Sequence, residues 1–292
     1  MKTEIEQRTA VGSLIKAAAN ALAAVGIETA LLDAELLMAK AAGVTRAQVL
    51  SGYIEAGPAV IARYGEFVAR RSAREPLAYI VGHKEFFSLD FEVTPAVLIP
   101  RPETETLVAT ALEVIAGRRE ALVLDLGTGS GAVAIAIAAN TPSAVKVIAT
   151  DVSKAVLEVA RRNAARLGCA GRIEFVEGDC WEALAASESD RQFDLVASNP
   201  PYVETASLES LEPEIRDFEP RIALTDGADG LEFYRRIASG IRGILKPRGE
   251  LLVEIGAGQA EPVLRLFREA GCLEAVAIRD LSGTERVIRA RF

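Results

Sequence analysis

Hydrophobic residues in the first 78 positions recur every three or four residues, which is the spacing of helices and not the alternation of strands. The positions that carry this pattern are Leu14, Ile15, Ala18, Leu22 and Val25 in one run and Leu32, Leu36 and Ala39 in a second. Each run is followed by a glycine, Gly26 or Gly43, the residue type that most often ends a helix. A third helix is predicted from Pro58 to about Arg74. Residues 1–78 are therefore predicted to form a small helical domain.

The segment 79–102 has a strand-like pattern instead. Aromatic and β-branched residues at 85–89 and 91–93 predict a short β-hairpin that turns around Leu89-Asp90. Two prolines, Pro100 and Pro102, exclude both a helix and a central strand, so residues 98–102 are predicted to be an extended linker. Helical spacing resumes from Glu103 to about residue 116.

From residue 121 onward, short apolar runs alternate with helical patterns. The predicted strands are 122–126, 145–150, 173–176, 193–197, 250–255, 275–279 and 285–291, and the predicted helices are 132–140, 153–168, 231–245 and 259–270. Continuous apolar strands separated by helices are typical of a parallel sheet covered on both faces. The last two strands have no helix between them, which predicts an antiparallel hairpin at one edge. The fold class is therefore α/β, with a doubly wound, mostly parallel seven-stranded sheet over residues 103–292.

Composition narrows the class of protein. Half of the 292 residues are hydrophobic, and 33 basic against 41 acidic residues give a net charge of −8. This excludes a disordered chain and disfavours a protein that coats nucleic acid. The sequence shows no apolar signal core and no run long enough to span a bilayer, so we expect no membrane partner. Its three cysteines have no Cys-x-x-Cys spacing, which disfavours disulfides and metal sites and favours a cytoplasmic location.

A glycine-rich loop follows the first strand of the predicted sheet. It contains Gly127, Thr128, Gly129, Ser130 and Gly131, and it opens the next helix. Glycine allows a tight turn and a close approach of the backbone to a ligand at the carboxyl end of a strand. The loop is therefore a candidate cofactor site, and the alternative is a tight turn without a ligand.

Two acidic residues end the next two strands. Asp151 is placed to accept hydrogen bonds from both hydroxyls of a ribose. Asp179 could reach an adenine amino group, or it could cap the following helix. An adenosine-containing cofactor is indicated, but these residues alone do not separate a dinucleotide from S-adenosylmethionine.

The fourth strand ends in Asn199-Pro-Pro-Tyr202, a rigid segment with chemistry of its own. The amide oxygen of Asn199 and the carbonyl oxygen of Pro200 are two acceptors that suit a planar –NH2 group, and Tyr202 could stack on the attached planar system. Such a site orients a conjugated nitrogen and stabilises the positive charge that grows on it during attack. Asn199, Pro200, Pro201 and Tyr202 are therefore the candidate catalytic and substrate-binding residues, and the alternative is a proline-rich loop at a strand end.

These motifs together resemble class I S-adenosylmethionine-dependent methyltransferases that act on conjugated amino or amide nitrogens. Within that group one branch is similar along nearly the whole chain, the release factor glutamine methyltransferases (PrmC/HemK). The segments that carry this resemblance are the helical N-terminal domain and residues 79–82, 85–87, 98–105, 218–220 and 285–287.

The resemblance implies a Rossmann-like fold and methylation of N5 of the glutamine in the Gly-Gly-Gln motif of class I peptide chain release factors. S-adenosylmethionine would be the methyl donor and S-adenosylhomocysteine the product, without a metal. The implied cofactor-binding residues are Gly127, Thr128, Gly129, Ser130, Gly131, Asp151, Asp179, Cys180 and Asn199. Many family members have tryptophan directly after the aspartate, where this chain has Cys180 and only then Trp181.

The resemblance also places Arg101 and Glu103 close to the cofactor or to the substrate loop; the alternative for them is a linker and a helix cap. We expect the helical domain to dock the release factor, because a single loop offers little area for recognition. An amino-methyltransferase of nucleic acid is the second hypothesis, disfavoured by the acidic charge. A protein that only binds the cofactor, or a nicotinamide dehydrogenase, would have no use for Asn199-Pro-Pro-Tyr202.

Overall fold

The computed structural model describes residues 2–52, 54, 56–185 and 191–292. These residues form two compact units. One contains residues 2–82 together with Glu212–Phe218, and the other contains His83–Leu211 and Glu219–Phe292. Within the described residues, no helix is long and apolar enough to cross a membrane.

The helices and strands have the following bounds. The helices are α1 (Lys2–Ala24), α2 (Ala30–Ala42), α3 (Arg46–Ser51), α4 (Pro58–Ser72), α5 (Leu77–Val81), α6 (Glu105–Ile115), α7 (Ala132–Ala139), α8 (Lys154–Arg166), α9 (Glu182–Ala185), α10 (Pro213–Phe218), α11 (Glu232–Gly240) and α12 (Ala260–Glu269). The strands are β1 (His83–Phe86), β2 (Leu89–Glu92), β3 (Ala121–Leu126), β4 (Val145–Asp151), β5 (Ile173–Glu177), β6 (Phe193–Ser198), β7 (Leu245–Glu254), β8 (Glu274–Arg279) and β9 (Glu285–Arg291).

The first unit is helical, which confirms that prediction, but the buried face of α2 differs from the expected one. Leu32 is 39% exposed, whereas Leu37 and Met38 are fully buried against Leu22 of α1. The sequence of α2 is apolar on several sides, so spacing alone could not select the face that packs. Two short helices, α3 and α5, were not predicted.

A buried ion-pair cluster holds α10 in the first unit. Arg71 of α4 donates to Asp33 at 2.7 Å and to Glu214 of α10 at 2.9 Å. Arg74 donates to the second oxygen of Glu214 at 2.6 Å. Since Arg71 and Asp33 are both almost fully buried, removing Arg71 would leave the Asp33 carboxylate buried without its ion-pair partner.

The second unit is built on one sheet that confirms the predicted fold class. Among the described residues, seven strands pair in the order β5-β4-β3-β6-β7-β9-β8. The strands from β5 to β7 are parallel, and β9 and β8 form the predicted antiparallel hairpin at the edge. Helices α6, α7 and α8 cover one face of the sheet, and α11 and α12 cover the other. The strand order changes direction next to β3, which is where ligands bind in open α/β sheets.

Two predicted boundaries were wrong. The hairpin turns at Phe87 and Ser88, both with positive φ, and not at Leu89-Asp90, because Phe86 pairs directly with Leu89. Leu245 begins β7 instead of ending the preceding helix, which stops at Gly240. A side chain at Gly240 would lie 2.4 Å from the ring of Trp181, so this helix end packs tightly.

Candidate active site

A cavity of about 520 Å³ lies in the second unit, at the carboxyl ends of the parallel strands. The loops after β3, β4, β5 and β6 all contribute to its wall, together with residues 96–104 and 220–236. This volume falls within the range of pockets that bind small molecules and cofactors.

The glycine loop forms one wall of the cavity. Gly127, Gly129 and Gly131 all have positive φ, a conformation that L side chains rarely adopt. A Cβ added at Gly127 or Gly129 would meet nothing within 4 Å, whereas one at Gly131 would lie 2.8 Å from Ile135. Gly131 therefore serves packing, and the first two glycines leave open space beside the backbone. Thr128 and Ser130 also line the cavity.

Asp125, the last residue but one of β3, was not among the predicted site residues. Its Oδ2 accepts hydrogen bonds from the Thr128 hydroxyl at 2.6 Å and from the Ala134 N–H at 3.1 Å. Its Oδ1 is buried and has no partner among the described residues, although the residue lines the cavity. Burial raises the pKa of this carboxyl to about 6. An unsatisfied buried carboxylate oxygen at a cavity wall is suited to a cationic or donor group of a ligand.

Asp151 ends β4 and lines the same cavity, as predicted for a ribose-binding carboxylate. Its Oδ2 accepts from the N–H of Gly129 at 3.1 Å, and its Oδ1 accepts from the N–H of Ser153 at 3.0 Å. Burial raises its pKa against these hydrogen bonds, which lower it. Each oxygen keeps a second lone pair for an additional donor.

Asp179 and Cys180 follow β5 and also line the cavity. Asp179 forms an ion pair with Arg236 of α11 at 2.7 Å, and Arg236 lies 5.3 Å from the ring centroid of Phe233. Cys180 has positive φ and is buried, which raises the pKa of its thiol. Trp181 does not line the cavity; its indole N–H donates to the Arg236 carbonyl at 2.8 Å. Of these two neighbours, the structure places Cys180 at the cavity.

Asn199 follows β6 and lines the cavity. Its Nδ2 donates a hydrogen bond to the Thr104 hydroxyl at 3.1 Å. Pro201 also lines the cavity, whereas Pro200 is buried and is not part of the cavity wall. Tyr202 lies in the wall of a neighbouring cavity of about 370 Å³, and its carbonyl accepts from Gln259 at 3.0 Å. The stacking role of Tyr202 stays a prediction.

Arg101 and Glu103 have different surroundings. Arg101 lines the cavity and donates to Glu219 at 2.5 Å. Glu219 is buried, which raises its pKa, and it also accepts from the N–H of Ile99 at 3.4 Å. The extended linker and the segment 218–220 are thus joined by one ion pair. Glu103 lies outside the cavity wall, at the start of the 3-10 turn Pro102–Thr104.

Glu254 is a second acidic residue that sequence reasoning missed. It ends β7, is fully buried, and neither of its carboxylate oxygens has a partner of normal hydrogen-bond geometry in the described part of the chain. Burial raises its pKa to about 7. Asp125 and Glu254 both lie at the carboxyl end of a parallel strand, the same signal that identified Asp151. Thr104, Phe233 and Arg236 also line the cavity, but none of them lies at the end of a predicted strand.

In chemical terms, the cavity wall combines the carboxylates of Asp125 and Asp151 and the glycine loop with the side-chain amide of Asn199, which Thr104 fixes. The first set is suited to an adenosine-containing cofactor and the second to a planar –NH2 group. The described residues hold no cluster of side chains that could bind a metal ion.

Two family models match this chain. The PrmC N-terminal domain matches residues 13–82, and a methyltransferase domain matches residues 123–218. The catalytic domain of hMettl16, solved in complex with MAT2A 3'UTR hairpin 6, is similar with a TM-score of 0.58 at 16% identity, over 78% of this chain and 82% of that one. At this identity the likeness shows the fold alone.

Several curated relatives are much more similar in sequence. The release factor glutamine methyltransferase of Geobacter sulfurreducens is 44% identical over 93% of both chains. Those of Caulobacter vibrioides and Bordetella pertussis are 42% and 45% identical, over 93% and 88% of this chain and 93% of each relative. The predicted resemblance is confirmed: the chain is an S-adenosylmethionine-dependent methyltransferase and belongs to the release factor glutamine methyltransferase family.

Proposed function

We propose that this protein methylates N5 of the glutamine in the Gly-Gly-Gln motif of class I peptide chain release factors, in the cytoplasm. The observation that carries the proposal is the placement of Asn199 in the wall of the same cavity as the glycine loop. A methyl donor held by the loop and an amide held by Asn199 would then share one cavity. The names of the relatives supply the substrate protein.

The residues present fit S-adenosylmethionine. The open backbone at Gly127 and Gly129 would lie along the cofactor, and Asp151 would accept from the ribose hydroxyls. The unpartnered oxygen of Asp125 would accept from the cationic amino group of the cofactor. Asp179 and Cys180 would border the adenine. When bound, the cofactor supplies an electrophilic methyl group on a sulfonium.

The substrate glutamine would be held by the segment 199–202. Because Nδ2 of Asn199 is committed to Thr104, Oδ1 is the side-chain atom left to accept from the target amide. The Pro200 carbonyl would accept the second hydrogen of that –NH2 group. These two acceptors orient the weak lone pair of the nitrogen and stabilise the positive charge that grows on it. The nitrogen then loses its proton after attack, so no base is required beforehand.

The helical unit would provide the docking area for the release factor. Its exposed apolar side chains include Leu31 on α2 and Leu50 on α3. A loop inserted into the cavity cannot by itself bury the area of a specific interface. The proposal includes this docking role for residues 1–78, with residues 79–102 as a hairpin and linker and residues 103–292 as the methyltransferase domain. Neither nucleic acid nor a membrane is expected as a partner.

A labelled-methyl transfer assay tests the proposal directly. The full-length protein and S-adenosylmethionine are offered release factor, tRNA, rRNA and DNA side by side. We expect label on the release factor alone, and none on a release factor whose motif glutamine is replaced by alanine. Label on a nucleic acid and not on the release factor would favour the amino-methyltransferase alternative and overturn the proposal.

A further inference from the structure

Glu254 and Asn199 lie side by side at the carboxyl ends of two inner strands of the sheet. The adjacent parallel strands β6 and β7 are in a register that pairs Ser198 with Val253, and Asn199 and Glu254 directly follow these two residues. A buried carboxylate whose oxygens make no hydrogen bond of normal geometry is costly, so its retention next to the candidate catalytic amide calls for a physical reason.

Thr104 is the residue that both of them face. Its hydroxyl oxygen accepts the hydrogen bond from Nδ2 of Asn199 at 3.1 Å. Hydrogen bonding from the same hydroxyl lowers the pKa of the Glu254 carboxyl, against the larger rise caused by burial. The three side chains thus form a row from Asn199 through Thr104 to Glu254.

A hydroxyl group has one hydrogen to donate, and its direction decides what the oxygen can accept. If the Thr104 hydrogen points to Glu254, the oxygen faces Asn199 with its lone pairs and can bind only the –NH2 end of that amide. If the hydrogen points to Asn199 instead, the side-chain amide must rotate so that its Oδ1 accepts this hydrogen. Oδ1 is then no longer available to accept from the target nitrogen. The carboxylate therefore controls which end of Asn199 faces the cavity.

We propose that Glu254 is a positioning residue for methyl transfer: through the Thr104 hydroxyl it fixes the side-chain amide of Asn199 with Oδ1 toward the target nitrogen. This inference rests on the proposed function and deepens it. Glu254 is not part of the cavity wall and acts through two other side chains.

Turnover should therefore depend on pH through the ionisation of Glu254. Protonated Glu254 could donate to Thr104, which frees the Thr104 hydrogen to turn Asn199 the wrong way. Because burial raises the pKa of Glu254 to about 7, kcat should rise with pH through that value and fall below it. The charged or titratable groups that face Glu254 are Arg101, Glu103, Tyr202, Tyr234 and Arg286. The two arginines favour the ionised form and Glu103 opposes it.

The test compares Glu254→Gln and Thr104→Val with the wild type, at saturating S-adenosylmethionine and release factor. Both variants should lose about tenfold in kcat, less than the ~10²–10³-fold that a directly lost transition-state hydrogen bond costs. Glu254→Gln should also lose the acid limb of the kcat profile, and Thr104→Ser should restore most of the activity. A ¹³C titration of glutamate-labelled protein adds a readout without turnover: Thr104→Val should raise the pKa of Glu254, because it removes a hydrogen bond that lowers it.

Glu250→Gln is the matched control. Glu250 is a buried carboxylate on the same strand, but it is ion-paired with Arg289 and lies outside the cavity wall. Its loss should lower stability and leave the acid limb in place. The inference would be overturned if Glu254→Gln kept the wild-type kcat and an unchanged acid limb. If Glu254→Gln fails to fold, the Thr104 variants decide: an equal kcat in Thr104→Val and Thr104→Ser would overturn it. If the wild type does not methylate release factor at all, the proposed function fails instead.

Discussion

The backbone N–H of Gly129 donates a hydrogen bond to the carboxylate of Asp151 at 3.1 Å, which joins the glycine loop after β3 to the end of β4. The other oxygen of Asp151 caps the Ser153 N–H before α8. A single carboxylate therefore fixes the shape of the loop and faces the cavity where a ribose would lie. Removing this carboxylate would therefore disturb both the shape of the loop and the surface that a ribose would contact.

Asp151→Ala should weaken S-adenosylmethionine binding by about 1.5–3 kcal/mol, the usual value of hydrogen bonds to a charged group. Titration calorimetry gives the affinity. Asp280→Asn serves as a control, because Asp280 accepts its hydrogen bonds in the turn before β9, outside the cavity. Unchanged affinity in Asp151→Ala would contradict a cofactor role for this residue.

Gly129 and Gly131 should respond to alanine in different ways. Both have positive φ, which costs an L residue roughly 1–2 kcal/mol. At Gly131 the new Cβ would also lie 2.8 Å from Ile135, so Gly131→Ala should lower the free energy of unfolding further, by about 1–3 kcal/mol. At Gly129 the new Cβ enters open space that the cofactor would occupy, so Gly129→Ala should chiefly weaken binding. Thermal unfolding and calorimetry on the same two proteins separate the effects; equal losses of stability would refute the distinction.

Cofactor affinity should depend on pH through Asp125. Burial raises the pKa of its carboxyl to about 6, so the residue is ionised above that pH and neutral below it. Only the ionised form attracts a cationic amino group, so affinity should fall by about tenfold for each pH unit below the pKa. Titration calorimetry from about pH 5 to about pH 8, a range that brackets this pKa, should show the fall in affinity in the wild type. Asp125→Asn should bind weakly throughout with a flatter profile, and a fall that persists in this variant would assign it to another group.

The strands and the glycine loop could be predicted because their signals are contiguous in sequence. The predicted strand 285–291 coincides with β9, since an apolar alternation between turn residues has few other solutions. Residues 127–131 and Asn199 were found in the same way, each within a short motif at a strand end.

The partners of these residues could not be found that way. Thr104 lies 95 positions from the Asn199 that it binds, and only the strand register brings Glu254 beside Asn199. The hairpin turn was misplaced because Phe87 and Ser88 are not the residues that usually adopt positive φ in a two-residue turn. The six residues of α10 are too few for a periodic signal, and their ion pairs with Arg71 and Arg74 are long-range.

Surface changes on the helical unit should affect the release factor and not the cofactor. Leu31 and Leu50 are 57% and 56% exposed. Replacing both with serine should raise the KM for release factor by at least about tenfold, since burying even one leucine contributes about 1.5–3 kcal/mol and about 1.4 kcal/mol is a factor of ten. The affinity for S-adenosylmethionine should stay the same. Leu281→Ser, a fully exposed leucine in the turn between β8 and β9, is the matched control. An unchanged KM in the double variant would exclude these two leucines from the docking surface.

Loss of Asn199 should damage turnover more than any other single change and largely spare cofactor binding. Its Oδ1 acts on a nitrogen that becomes positive during attack, so the interaction tightens in the transition state and its removal lowers kcat. Asn199→Ala should lose about 10²–10³-fold in kcat, as for other donors or acceptors of this kind. Asn199→Asp keeps an acceptor, and Thr104 can turn its hydroxyl to donate to the new carboxylate, so some activity should survive. Single-turnover transfer to release factor, with calorimetry to verify cofactor binding, measures both variants. A contact made in the transition state should leave far less than half of the wild-type kcat when it is removed. If the Asn199→Ala protein is folded and binds cofactor but keeps more than about half of that kcat, the target nitrogen would have to be held by other groups.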